Sequence, residues 1–158
     1  ELGEFMVVYV EGKCNIQQQV VYSVIEYCYN KLIPQYEADI FVSLDDTNLI
    51  TTPNGWCQHN HGNNFEIAIN SNLSMPELIK TVCHEMVHVK QGVKNELVET
   101  HNTKYCRTWK GIEYNGKCKD EFPWELEAYC LEGKLYKTFM EQYNVKNKDE
   151  LETQQRLH

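Results

Sequence analysis

Residues 84–88 read His84-Glu85-Met86-Val87-His88, and no other stretch of the chain restricts its folding so tightly. On a helix, positions four apart differ by about 40° of rotation, so both imidazoles can reach one ion at about 2.0–2.1 Å. Glu85 then stands about 60° round from His88, too far to ligate on the same turn. It is close enough to take a proton from a water at that ion. The spacing is the one zinc-dependent peptide hydrolysis requires, and it demands a helix whose polar side faces a cleft.

The flanks predict that helix. Ser74 followed by Glu77 forms a capping box, Pro76 falls in the first turn where its missing N–H costs nothing, and Gly92 is expected to stop the helix. Leu78, Ile79, Val82, Met86 and Val89 recur at helical spacing as one apolar stripe. His84 and His88 project from roughly the opposite side, with Glu77 and Gln91 beside them, so they do not read as core histidines.

A chain of 158 residues makes one domain large enough for a core. Residues 1–5 read as a vector scar ahead of Met6, residues 6–143 as the domain, and residues 144–158 as a charged tail, mobile or at most a short helix. The net charge of -8 repels phosphate backbones, which argues against a nucleic-acid partner. No stretch approaches the roughly 20 apolar residues of a membrane span, and nothing after Met6 looks like an export signal. The seven cysteines are odd in number and include no Cys-x-x-Cys pair, so reduced thiols and a cytoplasmic setting are expected; the chain is also expected to be a monomer. Cys106 and Cys118 could bracket a loop as a disulfide only under oxidising conditions.

Along the chain, residues 6–10 read as a strand and 17–32 as a helix ended by Pro34. Residues 39–44 and 56–59 read as strands around the turn signal Thr52-Pro53-Asn54-Gly55. Residues 65–70 alternate, with Phe65, Ile67 and Ile69 on one side. With an open outer edge beside the cleft this strand is the candidate substrate rail, Phe65, Ile67 and Ile69 being the candidate substrate-binding residues and main-chain hydrogen bonds holding an extended peptide; an ordinary central strand fits the pattern equally. Residues 93–122 are irregular, polar and rich in Tyr, Trp and Cys, as segments that shape sites often are. Pro123 opens a third helix to about residue 143, with Trp124, Ala128, Leu131, Leu135 and Phe139 on its buried face. The fold class is α+β: a small mixed or antiparallel sheet packed on an N-terminal helix and on the helix of the pentad.

Two histidines need a third protein ligand if a catalytic ion is to keep its fourth position for water. Glu125 lies by helical phase on the apolar face of the last helix, where a carboxylate needs a compensating charge, whereas Glu127 points toward solvent. A zinc ion (Zn2+) on His84 and His88 would supply that charge; a Glu favouring the helix dipole is the plainer alternative. Glu132, on the same face, is either an acceptor for a ligand histidine or a peripheral charge. His59 and His61 sit in a Gly/Asn-rich stretch that reads as a solvated loop, and Cys83 and Cys130 as packing thiols.

His-Glu-x-x-His followed by a helix bearing Glu-x-x-Ala resembles the gluzincins, zinc peptidases whose third ligand is a glutamate on a later helix. Trp109-Lys110-Gly111, then Tyr114, then Pro123-Trp124-Glu125-Leu126-Glu127-Ala128-Tyr129, is similar to small phage and bacterial metallopeptidases with SprT-like or minigluzincin cores. The resemblance covers about residues 65 to 140. It implies a zincin-like fold, ligands His84, His88 and Glu125, Glu85 as base, a protein or peptide substrate, and a phage-encoded enzyme of the host cytoplasm. Tyr129 stands where many gluzincins place Asp or Asn, and no zinc ribbon follows. SprT-type peptidases use a third histidine downstream, a part that His101 could play in place of Glu125.

The expected chemistry is metal-assisted peptide hydrolysis, with Tyr105, Tyr129 and His101 available to stabilise the oxyanion. The rival expectation is a non-enzymatic zinc-stabilised module that captures a protein partner. Structural zinc sites, however, prefer four protein ligands, usually several of them Cys. A third is a latent peptidase whose own residues 144–158 occupy the cleft.

Overall fold

Burial alternates along β2 (Ala38–Asp45), where Ala38, Ile40, Val42 and Leu44 turn inward and Asp39 and Phe41 outward. A strand buried on one face needs helices on that face, and the chain supplies them. A computed structural model describes residues 6–46, 54–99, 106–115 and 121–157, with side chains up to residue 144. Within these, β1 (Met6–Glu11), β2, β3 (Gly55–His59) and β4 (Asn64–Asn70) form one sheet in the order β1-β2-β4-β3. β1, β2 and β4 run parallel and β3 returns antiparallel to β4, so the sheet is mixed. α1 (Asn15–Leu32) makes the crossover that parallel β1 and β2 require.

The core joins β1, β2 and β4 to α1, to α2 (Met75–Val93) and to α3 (Pro123–Leu157). Val21, Val24, Ile25 and Cys28 of α1 and Leu78, Val82, Met86 and Val89 of α2 lie fully inside it, as their helical spacing predicts. Ser74 caps α2, its side chain accepting from the Glu77 N–H, with Pro76 in the first turn. Gly92 does not stop the helix. It is helical and buried against Phe65, and α2 ends just beyond it, near Asn95 at φ 56°, a left-handed backbone that Asn tolerates.

Three further expectations change. The segment expected to offer an open edge is central: β4 pairs with β2 on one side and β3 on the other, and Phe65, Ile67 and Ile69 are buried at 2%, 1% and 0% exposure. Its main-chain groups are spent within the sheet, so these three residues are core and the open edge passes to β3. The third helix does not end near residue 143, because α3 continues as one helix to Leu157 with no Pro or Gly after Gly133 to break it. Cys130 is exposed, rotated about 200° from Ala128.

The irregular stretch after α2 folds into a second sheet, β5 (Leu97–Glu99), β6 (Cys106–Trp109) and β7 (Ile112–Asn115), in that order and antiparallel. Lys110 and Gly111, at φ 49° and 86°, make the two-residue turn between β6 and β7, where positive φ matches the strand twist. Cys106 Sγ lies 3.2 Å from Glu113 Oε1, and Cys118 is outside the described residues. Among the described residues no helix is long and apolar enough to cross a membrane.

Candidate metal centre

An aromatic cluster seats the first turn of α3. Trp124, 1% exposed, stacks on Phe122 at 4.4 Å between ring centres, meets Tyr114 edge-on at 5.5 Å and approaches Trp109 at 6.4 Å. The second sheet thus holds the helix start that carries Glu125. Glu125 points back to α2, where its Oε1 lies 3.1 Å from His84 Nε2 and 3.1 Å from His88 Nε2. The two imidazoles stand 5.0 Å apart with their planes at 79°.

Both rings turn Nε2 inward and Nδ1 outward onto an oxygen. His84 Nδ1 meets Glu132 Oε1 at 3.0 Å and His88 Nδ1 meets Gln91 Oε1 at 2.8 Å. An acceptor behind Nδ1 fixes the ring and leaves Nε2 as the metal donor. Of the two readings of Glu132, contact with a histidine is therefore the one the geometry bears out. Tyr129 tilts against the His84 ring at 4.7 Å.

Glu127 does not point to solvent. It accepts from Lys90 Nζ at 2.8 Å and from Gln91 Nε2 at 3.1 Å, since α2 lies close enough to fill the side that phase alone leaves open. Glu96 Oε1 lies 2.8 Å from the same ammonium. His101 and Tyr105 lie outside the described residues. His59 stacks on Phe65 at 4.3 Å and His61 is exposed; neither belongs to a metal-ligand group among the described residues.

His84, Glu85 and His88 form a group that could hold a metal ion, their ligand atoms all within 4.8 Å of one another. Donors at about 2.05 Å from a tetrahedral centre are about 3.3 Å apart, close to the spacing of Glu125 Oε1 from each Nε2. Imidazole nitrogens and carboxylate oxygens are donors of the kinds that hold a divalent ion such as zinc, and Glu85 stands beside Glu125 among them. A cleft of about 570 Å³ opens over these groups, walled by β3 on one side and β5 with Arg107 on the other.

The electrostatics are those of a site built around positive charge. Burial alone would depress the His84 imidazole, but its hydrogen bonds to Glu125 and Glu132 overcome this and push it up to about 10. Burial likewise disfavours charge on His88, and Glu125 again reverses the sign. Burial raises the Glu125 carboxyl, yet the hydrogen bonds from His84 and His88 hold it down at about 2. Without an ion, protons on the imidazoles supply the charge this carboxylate requires. Glu85, 4% exposed, is held above the usual carboxylate range by burial, against the pull of His88 and His84.

Gln91 is the residue whose part sequence reasoning missed. It stands three positions after His88, on the same helix face, and that spacing was the available signal. No protein-family model, no curated protein and no solved structure matches the chain.

Proposed function

We propose that the chain is a zinc-dependent peptidase of gluzincin type, a zincin-like fold in which His84, His88 and Glu125 are the ligands and Glu85 is the general base. One observation carries this reading: a single carboxylate oxygen on α3 lies equidistant from two Nε2 atoms on α2. Bound zinc would supply acidity to a coordinated water and polarise the scissile carbonyl. With zinc bound, Glu85, buried and held above the usual carboxylate range, would serve as the base that accepts a proton and returns it to the leaving amine. Glu132 and Gln91 hold the ligand imidazoles in register.

The substrate is an extended peptide. Among the described residues β3 is an edge strand that lines the cleft, so the main-chain groups on its outer side can add the peptide as a further strand, the part expected of residues 65–70. Of the three oxyanion candidates, Tyr129 lines the cleft beside His84. Two histidines and one carboxylate facing an open cavity favour hydrolysis over a closed structural site, which would take a fourth protein ligand.

The test is Glu85→Gln. It retains bound zinc, measured by elemental analysis, and loses casein cleavage by about 100-fold or more. Cleavage at the wild-type rate by a zinc-loaded variant overturns the assignment.

A further inference from the structure

We infer that Gln91 is a positioning residue that dictates which nitrogen of His88 faces the metal, its amide held in that orientation by the first turn of α3. This rests on the zinc-peptidase reading above. Gln91 is 0% exposed, so each of its polar atoms must find a partner inside the protein. Its Nε2 donates to the Trp124 carbonyl at 2.9 Å and to Glu127 Oε1 at 3.1 Å.

Those two acceptors use both amide hydrogens, and they fix the orientation of the group. Oε1 is then the only end left for His88, and it meets Nδ1 at 2.8 Å. An amide oxygen can only accept. His88 Nδ1 must therefore carry a proton, which leaves Nε2, now hydrogen-bonded to Glu125, as the nitrogen whose lone pair a metal ion can take in place of a proton. The reverse tautomer would set two lone pairs against each other in a dry environment.

The acceptors that fix the amide belong to the residues immediately before and two after Glu125. His88 on α2 and Glu125 on α3 are thus referred to one rigid group. Lys90, paired with Glu127 and Glu96 at 2.8 Å each, holds the Glu127 acceptor in place. A misplaced ligand imidazole weakens a metal site even when every ligand is present.

Two substitutions in the full-length chain separate the roles. Gln91→Glu keeps an acceptor against His88 Nδ1 but loses the donors to Trp124 and Glu127. Gln91→Met, of similar length, loses both. The two variants share the loss of the α3 clamp and both melt below wild type, so a merely structural role predicts equal zinc binding.

Zinc affinity is measured by competition with a chromogenic chelator, and the His88 tautomer by long-range nitrogen–proton NMR correlations of the zinc-loaded chain. In the wild type, Nδ1 carries the proton and Nε2 binds zinc. Gln91→Glu binds zinc within about threefold of wild type, and Gln91→Met binds about 10–100-fold more weakly. Equal affinities for the two variants, or Nδ1 ligation in the wild type, overturn the inference.

Should Gln91→Met not fold, Gln91→Glu decides alone. Affinity within about tenfold of wild type with the Nδ1 proton retained supports the inference, and a larger loss overturns it. A wild type that takes up no zinc overturns the peptidase reading and this inference with it. A wild type that binds zinc with the stated tautomer but cleaves no peptide bond overturns the peptidase reading only.

Discussion

Lys90 Nζ lies 2.8 Å from Glu127 Oε1, tying the helix of the two histidines to the helix of Glu125 through a pair only 12% and 23% exposed. Glu127 therefore already has a cation, while the contacts of Glu125, two residues earlier, among the described residues are with imidazoles. The two glutamates should respond oppositely to removal. Glu125→Ala abolishes stoichiometric zinc, whereas Glu127→Ala leaves zinc in place and lowers stability by about 1–3 kcal/mol, the cost of a partly buried ammonium that loses one of its partners. Elemental analysis beside thermal melts checks this. Loss of zinc from Glu127→Ala with Glu125→Ala still loaded would exchange their roles.

Removing the metal should change the sign of the pH dependence. In the metal-free chain His84 is raised from 6.5 to about 10, so its contribution is complete below 6.5 and is lost as pH rises through about 10. Glu125 is depressed from 4.5 to about 2, so its contribution is complete above 4.5 and is lost as pH falls through about 2. The cluster thus stabilises the metal-free protein most between pH 4.5 and 6.5. Zinc requires deprotonated imidazoles, so the rise in Tm on adding zinc grows as pH rises from 6.5 toward about 10 while the metal-free Tm declines over the same range. Melting curves with and without a chelator give both slopes; a zinc effect that shrinks as pH rises contradicts the ligand assignment.

The pentad, its capped helix and the start of α3 were readable because each rests on local rules: an i, i+4 pair, a Ser-x-x-Glu cap and a Pro at the first helical position. Strand order was not. Residues 65–70 alternate in the same way whether central or at an edge, and only the return of β3 beside β4 settles which. Helical phase put Glu125 on the inner face, but it sent Glu127 to solvent because phase takes no account of a neighbouring helix bringing Lys90 and Gln91 to that side. The aromatic residues of 93–122 were visible, yet their target, Trp124, is a long-range partner that no local pattern names.

Cysteine reactivity should report on the cleft. Burial raises the Cys57 thiol well above its ordinary range, and the charges of Glu85 and Glu99 push it further. Cys14 and Cys130 are exposed, and Cys28 and Cys83 are sealed in the core with their sulfurs 3.9 Å apart. Native labelling with a thiol reagent near pH 8 should modify Cys14 and Cys130 first and leave Cys57 slow, because too little thiolate forms. Glu85→Gln removes one of the opposing charges and accelerates Cys57 by a few fold, read by mass spectrometry of the labelled peptide. A Cys57 rate equal to that of Cys14 contradicts its placement against Glu85.

Gly92→Ala opposes two effects of known sign. In an exposed helix the change gains about 0.5–1 kcal/mol from backbone entropy. Here an added Cβ would stand 2.7 Å from Phe65 Cε2, 2.9 Å from Cζ and 3.0 Å from His59 Nδ1. Phe65 is 2% exposed and its ring is stacked on His59, so it cannot swing aside without disturbing β3 and β4. Overpacking of this kind costs about 1–3 kcal/mol and outweighs the helical gain. The variant should melt lower than wild type, and Phe65→Leu combined with it should recover part of the loss by vacating the ring's position. A Gly92→Ala protein more stable than wild type would show that α2 and β4 do not approach as closely as they do here.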